Sequence, residues 1–334
     1  MKLFQSIFGR GDVVGRYPED LIERAIERAV DLTDARLRLV PGYRKRLRQP
    51  IIHAIDQVIA LVDAISAPLA ASPDGYRGDF RLAALFSSGE EMLQILGRDK
   101  GLRDYLASAE GRGSERITTL LVARREERSI LGMDLVGDQV RRDVAQVSVS
   151  FAAHRLLEPN LSEPECRRFL KRRAFDHVLA LALAEIAEAR VERADLQRQR
   201  DLLQRKLRAV KRGTLPFGPT GSGQAEEAGI QGELDTVSAQ LAELGADDGV
   251  LKAHLGLVAD RLADAEHQVW SEEVQLCLGP MNIRRDPDDP SARRMVFQEL
   301  RDARDQRGVM LMLAIAPRDL PSVDDFVSAA ERYL

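Results

Sequence analysis

Cysteine is nearly absent from this chain, with two thiols, Cys166 and Cys277, in 334 residues. That excludes a disulfide framework and a four-thiolate zinc site. Aromatic residues are scarce at 5%, which suits helical rods better than a large aromatic core. No stretch approaches the roughly 18 uninterrupted apolar residues of a membrane span. The N-terminus has one lysine and no long apolar run, so no secretory signal is expected. An excess of one charge is lacking too. The 49 Lys and Arg stand against 53 Asp and Glu, so the net charge of −4 favours neither nucleic acid nor an anionic membrane. A cytoplasmic protein is the resulting expectation.

What the chain does have is heptad periodicity. From Glu165 to Lys211, Phe175, Ala182, Ala189, Leu196, Leu203 and Val210 recur every seven residues. Leu179, Ile186 and Leu207 share a second register, interrupted by Arg193 and Arg200. From Ile230 to Leu276 a second seam alternates spacings of four and three, and twelve of its fourteen positions are apolar; Asp248 and Glu272 are the exceptions. Seams this long predict an antiparallel coiled-coil hairpin over 161–278 with a loop at 213–225. The arms differ in charge. Glu165–Arg212 carries fourteen basic against seven acidic residues, and Glu226–Leu278 carries two against twelve. Opposite charge flanking the seam favours pairing of these two arms with each other. Folding back from a centre near residue 219 sets Arg193 opposite Asp248, the expected register pair. It also sets Cys166 near Cys277, and Arg167–Arg173 near Glu266, Glu272 and Glu273.

The remainder reads as an α+β body, predominantly helical. Residues 1–14 form a tail or docking peptide, and Leu3, Phe4, Ile7 and Phe8 give a weak case for peripheral membrane contact through 1–9. A helical domain follows over 15–112. Within it Pro18 opens an amphipathic helix, Pro50 opens or kinks a second, and short helices lie near 80–86, 90–96 and 99–106. Strict alternation in Val147–Phe151, with Leu131, Met133 and Leu135 before it and Ile117–Ala123 as a third run, predicts a β-meander within 113–160. Residues 279–334 hold C-terminal strands and a closing helix. Val309–Ala316 is a buried strand and Met295–Leu300 its partner, the alternative being a helix over 291–306. These strands are expected to share one small, mostly antiparallel sheet with 113–160, so the hairpin is inserted between strands.

No chemistry-bearing motif survives inspection. Gly218–Ala225 resembles the start of a phosphate-binding loop, but Gln224 replaces the lysine and Ala225 the hydroxyl, and a helix precedes it. The five histidines lack metal-ligand spacing, no serine elbow occurs, and Asp286, Asp288 and Asp289 fit a plain turn better than a calcium loop. No catalytic residue, metal or cofactor is therefore expected. Leu215 and Phe217, apolar at the hairpin tip, are the candidate partner-docking residues. The reading that results is a non-enzymatic scaffold or adaptor engaging an unidentified protein through the hairpin. An alternative is a nucleic-acid-associated protein using Arg44, Lys45, Arg46 and Arg48 with Arg167, Arg168, Lys171 and Arg172. Charge-paired or solvated basic faces explain those clusters more simply. A third reading is an enzyme with its site between helical domain and sheet.

Overall fold

A computed structural model describes residues 17–136, 139–212, 222–243 and 249–321. Of 134–136, 139, 140 and 222–226 only the backbone is described. The residues fall into two compact units. One comprises Gln57–Ala174 with the chain from Glu266 onward, and the other the chain up to Asp56 with Phe175–Ala265. This division cuts across the boundaries drawn from sequence and falls inside two continuous helices, Tyr43–Asp63 (α2) and Glu163–Lys211 (α7).

The first unit is built on a six-stranded sheet. Its main path runs β3-β2-β6-β5-β4, from Ile117–Val136 (β2), Gln139–Asn160 (β3), Val269–Leu278 (β4), Arg293–Asp302 (β5) and Arg307–Ile315 (β6). The pairs along this path are antiparallel, and Leu69–Ala70 (β1) joins β6 in parallel. β6 is apolar without interruption because both its faces are covered. Leu311, Leu313 and Ile315 meet one core, with Ile117, Leu121 and Phe297. Met310 and Met312 meet the other, with Leu120, Cys166 and Leu170. The first core is roofed by four short helices, Pro73–Gly78 (α3), Phe80–Leu85 (α4), Gly89–Arg98 (α5) and Lys100–Ala107 (α6). Each has a side-chain cap: Ser72, Asp79, Ser88 and Asp99 accept from a backbone N–H of the first turn.

Three sequence expectations change in this unit. The predicted three-stranded meander is two long strands: β2 runs unbroken through Arg124–Ile130, where the polar residues obscured its continuity. The returning seam overruns the helix. Val269, Glu272 and Leu276 lie in β4, where all ten residues pair with β5; the four-residue step from Glu272 to Leu276 keeps one face of a strand, whereas the three-residue step before it changes face. Residues 291–306 contain strand β5 rather than the alternative helix.

The second unit is helical: Glu19–Thr33 (α1), the first part of α2, the larger part of α7, Ser222–Glu243 (α8) and Val250–Ala263 (α9). Ala265–Gln268 (α10) leads from α9 to β4. α1 begins after Pro18 and buries Leu21, Ile22, Ile26, Ala29 and Val30; of the stripe expected for it, Ala25 is only half-buried. Helix α2 starts at Tyr43, so Pro50 lies within it and the basic run Arg44–Arg48 occupies its first turns. Val178, Leu179, Ala182 and Ile186 of α7 and Leu255, Val258 and Leu262 of α9 are buried apolar residues of the same unit. Farther along, Leu196 and Leu203 pack with Ile230, Leu234, Val237 and Leu241 of α8.

The arms run antiparallel but not in one register. Lys211 meets Glu227 at 3.3 Å, and Glu185 meets Arg261 at 2.5 Å. Between these contacts α7 advances 26 residues (185 to 211) and the returning arm 34 (227 to 261). The returning arm is two helices, α8 ending at Glu243 and α9 beginning at Val250, and residues 244–248 between them lie outside the described residues. The predicted Arg193–Asp248 pair assumed one continuous arm; Asp248 lies outside the described residues, as do Leu215, Phe217, the segment 1–9 and the closing helix.

Candidate functional site

A buried polar cluster stands in each unit, and the stronger is in the helical unit. Asp34 follows α1 and caps the 3-10 turn Ala35–Leu39, accepting from the Arg36 backbone N–H at 3.1 Å. The Arg36 side chain adds two more bonds, from Nε at 3.0 Å and Nη2 at 2.9 Å. Arg190 of α7 donates to Oδ2, and Nδ1 of His254 on α9 stands 3.5 Å from that oxygen. One buried carboxylate thus joins the α1 end, α7 and α9. Burial opposes ionisation, but the Arg36 side chain first, then its backbone N–H and the nearby guanidinium charges, hold Asp34 at about 2 against an ordinary 3.8. His254 is 4% exposed, and at 3.5 Å the contact is too long to satisfy Nδ1, which is buried without a hydrogen-bond partner. Burial, then the Arg190 charge, pushes its pKa down, so the ring is neutral. An Asp–His pair resembles a proton relay. Here the carboxylate is committed to two guanidinium groups and the imidazole bond is not closed, which suits a clamp between helices.

Two further pairs tie α7 to its neighbours in this unit. Arg28 of α1 makes a fork-to-fork pair with Asp176, and Arg261 of α9 does so with Glu185 at 2.5 and 3.0 Å. The predicted register pair thus has counterparts at other positions, nearer the base of the hairpin.

In the sheet unit a chain of charges crosses β2, β5 and β4. Arg284 meets Glu127 at 3.0 Å, Glu127 meets Arg125, and Arg125 Nε meets Glu299 at 3.0 Å. Arg301 donates to the second Glu299 oxygen at 3.0 Å and approaches Glu272 at 3.3 Å, and Trp270 Nε1 donates to Glu272 at 3.0 Å. Glu299 is 1% exposed at the margin of the core. Burial alone would raise its pKa; hydrogen bonds from Arg125 and Arg301 outweigh it and hold the carboxyl below the usual range. Three arginines against three glutamates leave the row neutral, so it joins strands rather than presenting a charge.

The basic clusters are largely engaged within the chain. Arg44 pairs with Glu27 at 2.9 Å and Arg48 with Glu19, while Lys45, Arg46 and Arg172 are exposed. Arg167 bonds Glu163 at 2.8 Å and donates to the Val62 and Ile65 carbonyls at 2.6 and 2.8 Å. Arg168 pairs with Glu165, Lys171 with Asp63 at 2.8 Å, and Arg173 with Glu158 at 3.0 Å. Of the expected partners, Glu272 and Glu273 lie in strand β4 and not in a facing helix. Neither cysteine is bridged: both are free and buried, and Cys166 lies 3.9 Å from the Met312 sulfur. Burial, reinforced by Glu158, pushes the Cys166 thiol up to about 12, so it is inert as a nucleophile. Asp289 of the Asp-Pro-rich turn accepts from the Ser291 N–H at 2.8 Å and hydroxyl at 2.7 Å, a local turn. Asp34 and Glu299 carried no sequence signal as sites: each has one arginine partner two residues away, a spacing common in any charged chain, and the others, Arg190 and His254 or Arg125, are remote. No family model, curated protein or solved structure matches this chain.

Proposed function

We propose that this protein is a scaffold or adaptor of the cytoplasm that engages a protein partner through the α7–α8–α9 hairpin, its long arms acting as a coiled coil. The observation that carries the reading is the 49-residue α7, met beyond Leu196 by α8 through a narrow row of leucines, isoleucine and valine. At about 1.5 Å per residue such a helix spans roughly 70 Å, far more than a small core needs. The clamps at Asp34, Asp176 and Glu185 fix the base of that hairpin within its own unit, as a lever requires. Engagement of Arg44, Arg48, Arg167, Arg168 and Lys171 by carboxylates weakens the nucleic-acid reading. No described helix is long and apolar enough to cross a membrane, and two free buried thiols accord with a reducing compartment.

The test is affinity capture with the intact protein beside Leu215→Ser/Phe217→Ser, read by mass spectrometry, with circular dichroism to check that the fold is kept. A partner retained by the wild type and lost by the variant is the expected result. Identical captures from both overturn tip docking.

A further inference from the structure

β2 is an edge strand for most of its length. It pairs with β6 only as far as Ala123, and beyond Arg128 no described strand pairs with its second side. Its partner β3 carries three bulges, with left-handed residues at Asp143, Ala153 and Glu158, whereas β2 advances without an inserted residue. Bulges turn an edge away from further pairing, so β3 is blunted and β2 is not. The unblunted strand is also apolar where it stands alone. Leu131 is 72% and Met133 65% exposed, on one face by strand alternation, with Ile130 on the other. A two-stranded ribbon is marginal in water, and exposed apolar residues on an open edge make a template for another strand.

We propose that a second copy of this chain covers that edge, β2 against β2 in antiparallel pairing, with the two-fold axis at Leu131. The sequence of the edge is complementary to itself in this register. Leu131 meets its own symmetry mate, Ile130 faces Gly132, and Arg128 faces position 134, an aspartate, on both sides of the axis. Arg128 is available for this: its side chain is 75% exposed and touches Glu126 at 3.1 Å. Centring on Ile130 would set Glu126 against Asp134, and centring on Gly132 would set Ile130 against Asp134. Between 124 and 136 three arginines balance two glutamates and one aspartate. That neutrality suits an identical partner better than a strongly charged one.

Residues directly opposed in antiparallel strands have Cα atoms about 4.5–5.5 Å apart, within disulfide reach. Leu131→Cys in the full chain therefore reads the register, because the native thiols are buried. We expect the wild type to sediment as a dimer, Leu131→Cys to be trapped as a disulfide dimer on mild oxidation, and Ser129→Cys and Met133→Cys not to be. Arg128→Asp should raise the dimer dissociation constant about tenfold, and adding Asp134→Arg should restore it. Circular dichroism of each variant should match the wild type. A wild type that stays monomeric at high concentration overturns the proposal, as does trapping at Met133 in place of Leu131, or a dimer indifferent to Arg128→Asp.

Discussion

Asp34 is the residue on which the helical unit turns, and its energetics follow from its pKa. A carboxyl held at about 2 instead of 3.8 binds its proton more weakly in the folded than in the unfolded chain. Its contribution of about 2 kcal/mol is complete above the unfolded value and is lost as pH falls through the folded one. Asp34→Asn should therefore lower the unfolding free energy by about 2 kcal/mol at pH 7 and change it little near pH 2, measured by urea titration at both. His254 has the same dependence for the opposite reason. Burial disfavours its cation in the fold, so protons bind preferentially to the unfolded chain once pH drops below the ordinary value of about 6.5. Stability should decline from pH 7 to pH 5, and His254→Gln should flatten that decline in thermal melts. Neither residue stood out in the sequence. A carboxylate and an imidazole separated by 220 positions reveal nothing until the helices carrying them are packed.

At the scale of elements, the β2–β3 ribbon shows how a strand can be legible and its length not. Alternation marked Leu131–Leu135 and Val147–Phe151, and Ile117–Ala123 suited a strand or a helix; all three are strand. The intervening Arg124–Arg128 run hid the continuity, because its alternation is of charge and its ion pairs lie along and across strands. Bulges were equally hidden. Ala153 adopts φ 54°, which an alanine does at a cost of about 1–2 kcal/mol. Ala153→Gly should raise stability by roughly 0.5–1 kcal/mol, the relief of strain being partly offset by glycine's greater chain entropy. An unchanged or lower midpoint in denaturant would show that the left-handed conformation there is not strained. Helix α2 carries the converse lesson: Pro50 was expected to open or kink a helix, and of the two places it takes the one inside, since the helix starts at Tyr43.

For the whole molecule, the decisive feature is how unevenly burial is distributed along α7. Leu179 is wholly buried within the helical unit, whereas Leu203 sits in a cluster of three buried residues shared with α8. Leu179→Ala should lower global stability by about 2–5 kcal/mol. Leu203→Ala should instead open the outer hairpin alone, detected as faster amide exchange in α8 with little change in the global midpoint. A global loss of equal size from Leu203→Ala would mean that the arms and their base unfold as one unit.

Local pattern by itself determined the elements whose faces are set by periodicity. These are the amphipathic stripe of α1, the long α7, the uninterrupted apolar β6, and a helical insertion between strands of an α+β body. Those follow from spacing of 3.6, 3.5 or 2 residues, which a chain carries without reference to its partners. The tertiary structure alone decided where the returning arm stops being helix, which carboxylates neutralise Arg167–Lys171, and that Asp34 and Glu299 are among the buried charges. Val269–Leu278 continues a heptad spacing yet becomes strand because β5 offers a complete ladder of backbone partners, and pairing of that kind outweighs the weak preference of so short a segment. Ion pairs follow distance in space, and between the Lys211–Glu227 and Glu185–Arg261 contacts the returning arm spends eight residues more than α7, an offset that no spacing rule within either helix could announce.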